Sequence, residues 1–199
     1  DIMDQNISDI GTGVLNYYNI SYVLIHKDEL NTYSIYPENA SVILEGIVTT
    51  ILNENPVYDD GNIVAYRVPK TDEIFFMRLD GRWSSVESTG NFTVRRIRDN
   101  ANLIVVSSRP RKIKLIIDTF ECGTKTLKIY QNGKEIRAIE QSDDSSFVTE
   151  KLQSNFWSNE PSRLIRNLSK VLEISAGENV LELSVSGICS IKKISMNEV

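Results

Sequence analysis

Apolar residues at Ile7, Ile10, Val14, Leu15 and Tyr18 recur at the three-and-four spacing of one helical face, which predicts a short helix despite Gly11 and Gly13. A strand-like run follows at Ile20 and Tyr22–Ile25, closed abruptly by His26, Lys27, Asp28 and Glu29. Ser41–Leu52 has helix length, although its β-branched residues favour strand; helix is the reading because the first strand needs an element to cover it. In Pro56–Pro69, Asp60-Gly61 separates Val57-Tyr58 from Ile63–Tyr66, and Asp-Gly between strand-formers signals a hairpin whose tight turn tolerates positive φ. Residues 1–70 therefore read as a small α/β unit.

After Pro69 the periodicity shortens. Ile74–Leu79, Phe92–Ile97, Leu103–Val106, Ile113–Phe120, Leu127–Tyr130, Ile136–Ile139, Val171–Ile174, Val180–Val185 and Ile191–Met196 are short apolar runs separated by turn-forming or charged residues. Asn132-Gly133 marks a second hairpin, and Leu181, Leu183 and Val185 alternate with polar neighbours as on a half-buried strand. The expected fold class is α+β: the small α/β unit of residues 1–70, then an antiparallel jelly-roll-like β-sandwich over residues 71–199. Ser142–Ser162 is polar and reads as a loop carrying Phe147, Phe156 and Trp157.

Charge divides the chain in the same way. Residues 1–70 hold ten Asp or Glu against three Lys or Arg, whereas residues 71–199 hold seventeen against nineteen. Arg95, Arg96, Arg98, Arg109, Arg111 and Lys112 form the densest basic group; solvated strand faces account for such a group, and a face toward anionic lipid head groups or phosphate-linked substrates is the sharper alternative. Nucleic acid is not expected as a partner, because the whole chain is acidic and no nucleic-acid motif accompanies the arginines. A single histidine, His26, removes His-based triads and multi-histidine metal sites, and no calcium-loop spacing surrounds Asp143 and Asp144, so neither metal nor cofactor is expected. Cys122 and Cys189 lack zinc spacing; they either pair in an oxidising compartment or remain as thiols. Trp83, in DGRWSS, and Trp157, in NFWSNEP, lie in polar surroundings, as aromatic platforms for sugar rings do. No catalytic residue emerges, and the isolated chain is not expected to be an enzyme.

The stretches YNISYVLIHKDEL and NPVYDDGNIVAYRVP, with Asp80-Gly-Arg-Trp83, the Asn-Gly-Lys turn at 132–134 and Gly177-Glu-Asn179, resemble the extracytoplasmic C-terminal region of multi-spanning archaeal and bacterial membrane glycosyltransferases of the GT-C class, related to protein O-mannosyltransferases. The resemblance implies a non-catalytic accessory domain outside the membrane, attached to a membrane-spanning portion of the same polypeptide and cut here from that longer chain. It implies proximity to glycan or a glycoprotein acceptor, with the basic group toward the lipid. The catalytic acids of that class belong to its membrane portion, so none is carried onto this chain. The alternative is a carbohydrate-binding β-sandwich module of an independent cell-surface protein.

Overall fold

A computed structural model describes residues 3–4, 7–32, 37, 39–89, 92–122, 127–136, 139–140 and 166–199. In chain order the elements are β1 (Met3–Asp4), α1 (Ile7–Tyr17), β2 (Tyr22–His26), α2 (Lys27–Thr32), α3 (Ala40–Leu52), β3 (Tyr58–Asp59), β4 (Ile63–Arg67) and β5 (Phe75–Asp80). They continue with β6 (Glu87–Thr89), β7 (Phe92–Ser107), β8 (Arg111–Cys122), β9 (Leu127–Gln131), β10 (Lys134–Ile136), β11 (Ile139–Glu140), β12 (Arg166–Ile174) and β13 (Gly177–Glu198). Among the described residues no helix is long and apolar enough to cross a membrane. The chain divides into two compact units: an α/β unit of Gln5–Met77 with Val106–Pro110, and a β unit of Asp1–Asp4, Arg78–Val105 and Arg111–Val199.

In the α/β unit an antiparallel sheet of order β2-β4-β3 carries helices on one side. Ile25, Leu52, Val64, Tyr66 and Val68 form the core, with Leu15, Val23, Val48 and Ile51 packed against them. Burial of this face is what holds the β-branched segment 40–52 as helix, overriding its local preference. Gly11 in α1 has a packing reason: a Cβ there would collide with Cγ2 of Ile51 in α3, so glycine lets the two helices approach closely. Thr12 Oγ1 donates to the Ile51 carbonyl at 3.3 Å across the same contact. α3 stops at Asn53, whose left-handed φ of 51° turns its N–H onto the Thr49 carbonyl.

The hairpin turn is held by its own carboxylates. Asp60 Oδ1 accepts the N–H groups of Ile63 and Asn62 at 2.7 and 2.9 Å, and Asp59 Oδ1 accepts that of Gly61 at 2.9 Å. These backbone donors hold both carboxyls below their ordinary range. Lys27 adds ion pairs at 3.2 Å to Glu45 of α3 and to Asp59. The polar residues closing β2, read as a strand end, thus begin a further helix, α2, and tie it to α3 and the turn.

The β unit is a mostly antiparallel jelly-roll-like sandwich organised around β13, on which β1 pairs in parallel. Strand order runs β10-β9-β13-β8-β12-β11, with β1 and β7 also on β13, and β5 and β6 on β7. Leu181–Val185 of β13 pair with β9, and Cys189–Glu198 pair with β8. Between these stretches Gly187 has φ 110°, and the register slips at Ser190/Ile191 and Ile191/Lys193. The glycine and the bulges mark the point at which β13 bends and passes from one partner strand to the other. Ile113, Leu115 and Ile117 of β8, Leu172 and Ile174 of β12 and Leu181, Leu183, Ile191 and Ile194 of β13 are buried in its core. Asn132 and Gly133, with φ of 52° and 76°, make the tight β9–β10 turn.

Two pairs of expected strands are continuous. Phe92–Ile97 and Leu103–Val106 belong to β7, and Val180–Val185 and Ile191–Met196 belong to β13. In β7 the intervening Arg98, Asp99 and Asn100 are exposed on the strand, with Asp99 at φ 65°, and Ala101 returns to the interior. Cys189 is fully buried and disulfide-bonded, and its register partner on β8 is the only other cysteine, Cys122.

Asp118 lies half-buried on β8 opposite Lys193, and one carboxylate oxygen is buried without a hydrogen-bond partner. Desolvation raises its pKa, with Lys193 and Lys192 opposing. A carboxyl raised on folding destabilises the native state above the folded pKa, and this penalty fades as pH falls through it toward the unfolded value. Asp118→Asn should therefore gain a small stability advantage at pH 7.5, solvent-screened, that disappears below about pH 4. Urea midpoints of both proteins at the two pH values measure it, and an advantage that grows on acidification would refute the assignment.

Candidate functional site

The chain leaves β5 at Asp80 and turns at Gly81, whose φ of 82° suits glycine, bringing Trp83 back to form an isolated antiparallel bridge with Ile97 of β7. The Trp83 indole N–H donates to the Asn102 carbonyl at 2.8 Å, which fixes the ring. Ser84 locks the following residue to β7: its N–H donates to the Arg96 carbonyl at 2.9 Å, and its hydroxyl accepts the Arg96 N–H at 2.8 Å. The half-buried Trp83 then lines an open cleft of about 460 Å³ with Met3 of β1, Arg78, Leu79 and Asp80 of β5, Gly81, and Arg95 of β7.

The cleft combines an immobilised aromatic ring, two apolar side chains and groups able to donate or accept hydrogen bonds. Arg78 pairs with Glu178 at 3.2 Å and lies 4.0 Å from Asp80. Arg95 donates to the Ser84 carbonyl at 2.9 Å. These contacts orient the guanidinium groups before any ligand arrives. Such a site suits the stacking of an apolar ring face while polar groups at its edge meet hydroxyls. Among the described residues no group of His, Cys, Asp and Glu is placed to hold a metal ion.

The other sequence candidates lie apart. Trp157 is outside the described residues. Of the basic group, Arg95 lines the cleft, whereas Arg96 is exposed and pairs with Glu87 at 3.2 Å. Arg98 and Lys112 are exposed; Arg109, in the α/β unit, pairs with Glu73 at 3.1 Å. The Arg111 side chain is only 3% exposed and reaches Glu198 at 2.6 Å, so its charge is spent inside the β unit and is not offered to a surface. The six cations are thus divided between the units, and strand alternation sets Arg95 against Arg96 and Arg98. Met3 and Arg78 escape sequence reading because they reach Trp83 only in the folded unit, whereas Asp80 stands with Trp83 in the Asp80-Gly-Arg-Trp83 stretch and is brought to it by the Gly81 turn.

No family model and no curated protein matches the chain. Solved structures do. A family 35 carbohydrate-binding module determined with a glucuronic acid-containing disaccharide matches at 13% identity, covering 62% of this chain and 86% of that one, with a TM-score of 0.35. A native family 35 module from Clostridium thermocellum matches at 13% identity over 64% and 93% with a TM-score of 0.34. Another, from Cellvibrio japonicus, matches at 11% identity over 62% and 89% with a TM-score of 0.30. At these scores no ligand contact of those modules is transferable to the residues of this chain.

Proposed function

We propose that the β unit is a non-catalytic carbohydrate-binding module whose cleft stacks a sugar ring on Trp83. The observation that carries the reading is the orientation-locked Trp83 in an open cleft with Arg78, Asp80 and Arg95. Hydroxyl groups of a saccharide would meet Asp80 and the two guanidinium groups while the indole covers an apolar ring face. In titrations against a glycan panel, Trp83→Ala should weaken binding at least tenfold, on the order of 1.5 kcal/mol, while Trp83→Phe, which keeps an aromatic face, should stay within a few-fold. Equal binding by the alanine variant would remove the site.

A second reading, favoured by the disulfide at Cys189, places the module outside the cytoplasm, attached to the membrane-spanning portion of a glycosyltransferase-like polypeptide near glycan or glycoprotein acceptor. Disulfides persist in oxidising compartments, and the two opening motifs support the tethered context. Several apolar segments of about 20 residues encoded upstream of Asp1 are the expected finding. A signal peptide alone would instead assign the module to an independent cell-surface protein.

A further inference from the structure

Among the described residues, the sheet of the α/β unit has helices on one side only. Val23, Ile25, Val64 and Tyr66 face them, so Tyr22, Leu24 and His26 of β2, Ile63, Ala65 and Arg67 of β4, and Tyr58 of β3 occupy the other side. The register sets Leu24, Ala65 and Tyr58 in one row across the three strands. Tyr22, Leu24 and Tyr58 are 56%, 57% and 53% exposed, and between its two large neighbours Ala65 is 8% exposed. The uncovered face of an antiparallel sheet is ordinarily polar. Here its centre is apolar and aromatic.

Among the described residues, charge sits at the two ends of this face. Arg67, opposite Tyr22, is exposed and makes no ion pair among the described residues. At the other end the Asp60 carboxylate accepts the Tyr58 hydroxyl at 2.8 Å. We propose that this face binds a second copy of the chain, sheet on sheet about a two-fold axis. Reversal of strand direction by that axis brings Arg67 of each copy to the Asp60 end of the other and lays the apolar rows together, as an isologous contact requires.

The footprint of three short strands buries on the order of 400–500 Å² per copy, below the roughly 800 Å² of a standard interface, so the dimer is a weak one, with Kd of about 10–100 µM. A lipid surface suits the face less well. The α/β unit carries ten acidic and four basic residues, which opposes approach to anionic head groups. The sugar cleft lies in the other unit, so this inference does not depend on it.

Sedimentation velocity of the whole chain from about 1 to 500 µM tests the proposal. The wild type should pass from monomer to dimer. Leu24→Glu and Tyr58→Glu should each raise Kd at least tenfold, and Arg67→Glu should raise it and abolish the salt dependence. Both apolar positions are more than half exposed, so neither change removes core; circular dichroism melts verify folding, and either variant suffices if the other fails. A chain that stays monomeric, or a dimer indifferent to both substitutions, overturns the proposal. A monomer that floats with neutral lipid vesicles in a Leu24-dependent manner also overturns it and gives the face to lipid.

Discussion

Reduction of the disulfide at Cys189 should cost the β unit about 4 kcal/mol, the largest single loss expected in this chain. The cross-link joins register-paired positions on β8 and β13, and the loop between the two cysteines spans about 70 residues, so the unfolded chain loses much of its freedom when the link is present. Cys189 is fully buried, which shields it from reductant until the strand pair opens. Urea denaturation with and without reductant, alongside a Cys122→Ala/Cys189→Ala double variant, should give the same large drop in midpoint. Because the link acts mainly on the unfolded state, the native spectrum of the reduced protein should be unchanged just below the transition. A drop under about 1 kcal/mol would mean that the denatured chain is already constrained there by other contacts.

Asn179→Ala should cost about 1–3 kcal/mol. The Asn179 side chain, 1% exposed, braces the turn before β13 from inside. Its Oδ1 accepts from the N–H and the hydroxyl of Ser175, both at 3.0 Å. Its amide donates to the carbonyls of Ser175 at 2.9 Å, Gly177 at 3.3 Å and Val105 at 3.5 Å. Truncation leaves a void and takes a donor from the buried Val105 carbonyl, at about 1–3 kcal/mol, whereas the groups of Ser175 and Gly177 lie in exposed turn residues and can turn to water. Asn179→Asp separates the two halves of the brace, since it keeps the acceptor and turns the donor edge into a charge facing carbonyls. It should be at least as damaging as alanine, and a wild-type melting temperature for it would show that the amide donors contribute nothing.

How far these features were legible depends on whether their cause is local. α1, β2 and the two hairpins follow from apolar spacing and from Asp60-Gly61 and Asn132-Gly133, whose chemistry acts within a few residues. α2 was missed because Lys27, Asp28 and Glu29 look like a strand end, and only the ion pairs to Glu45 and Asp59 across the fold reveal what they hold. The fusion of apolar runs into β7 and β13 was hidden for a related reason. Exposed polar residues interrupt the hydrophobic pattern, whereas the ladder requires only backbone groups, and Gly187 reads locally as a stop. At the cleft, Trp83 announced itself by its polar surroundings and Asp80 by its place in Asp80-Gly-Arg-Trp83, but Arg78 and Met3 had no sequence signal of their own. Arg111 misled in the opposite sense: it stands among basic neighbours in sequence and is buried against Glu198 in space.

The partner change within β13 also governs when the β unit can form during synthesis. The 22 residues of β13 complete the ladder with β9 in their first part and with β8 in their second, so both stay unfinished until Gly177–Glu198 has left the ribosome. The α/β unit draws nearly all of its residues from the first 77 and can assemble long before. Throughout that interval the edges of β8 and β9 await a strand, which is the period in which pairing with another nascent chain competes. Chaperone dependence of the chain should therefore fall in the interval before β13 emerges and be relieved by supplying the β13 segment as a separate peptide.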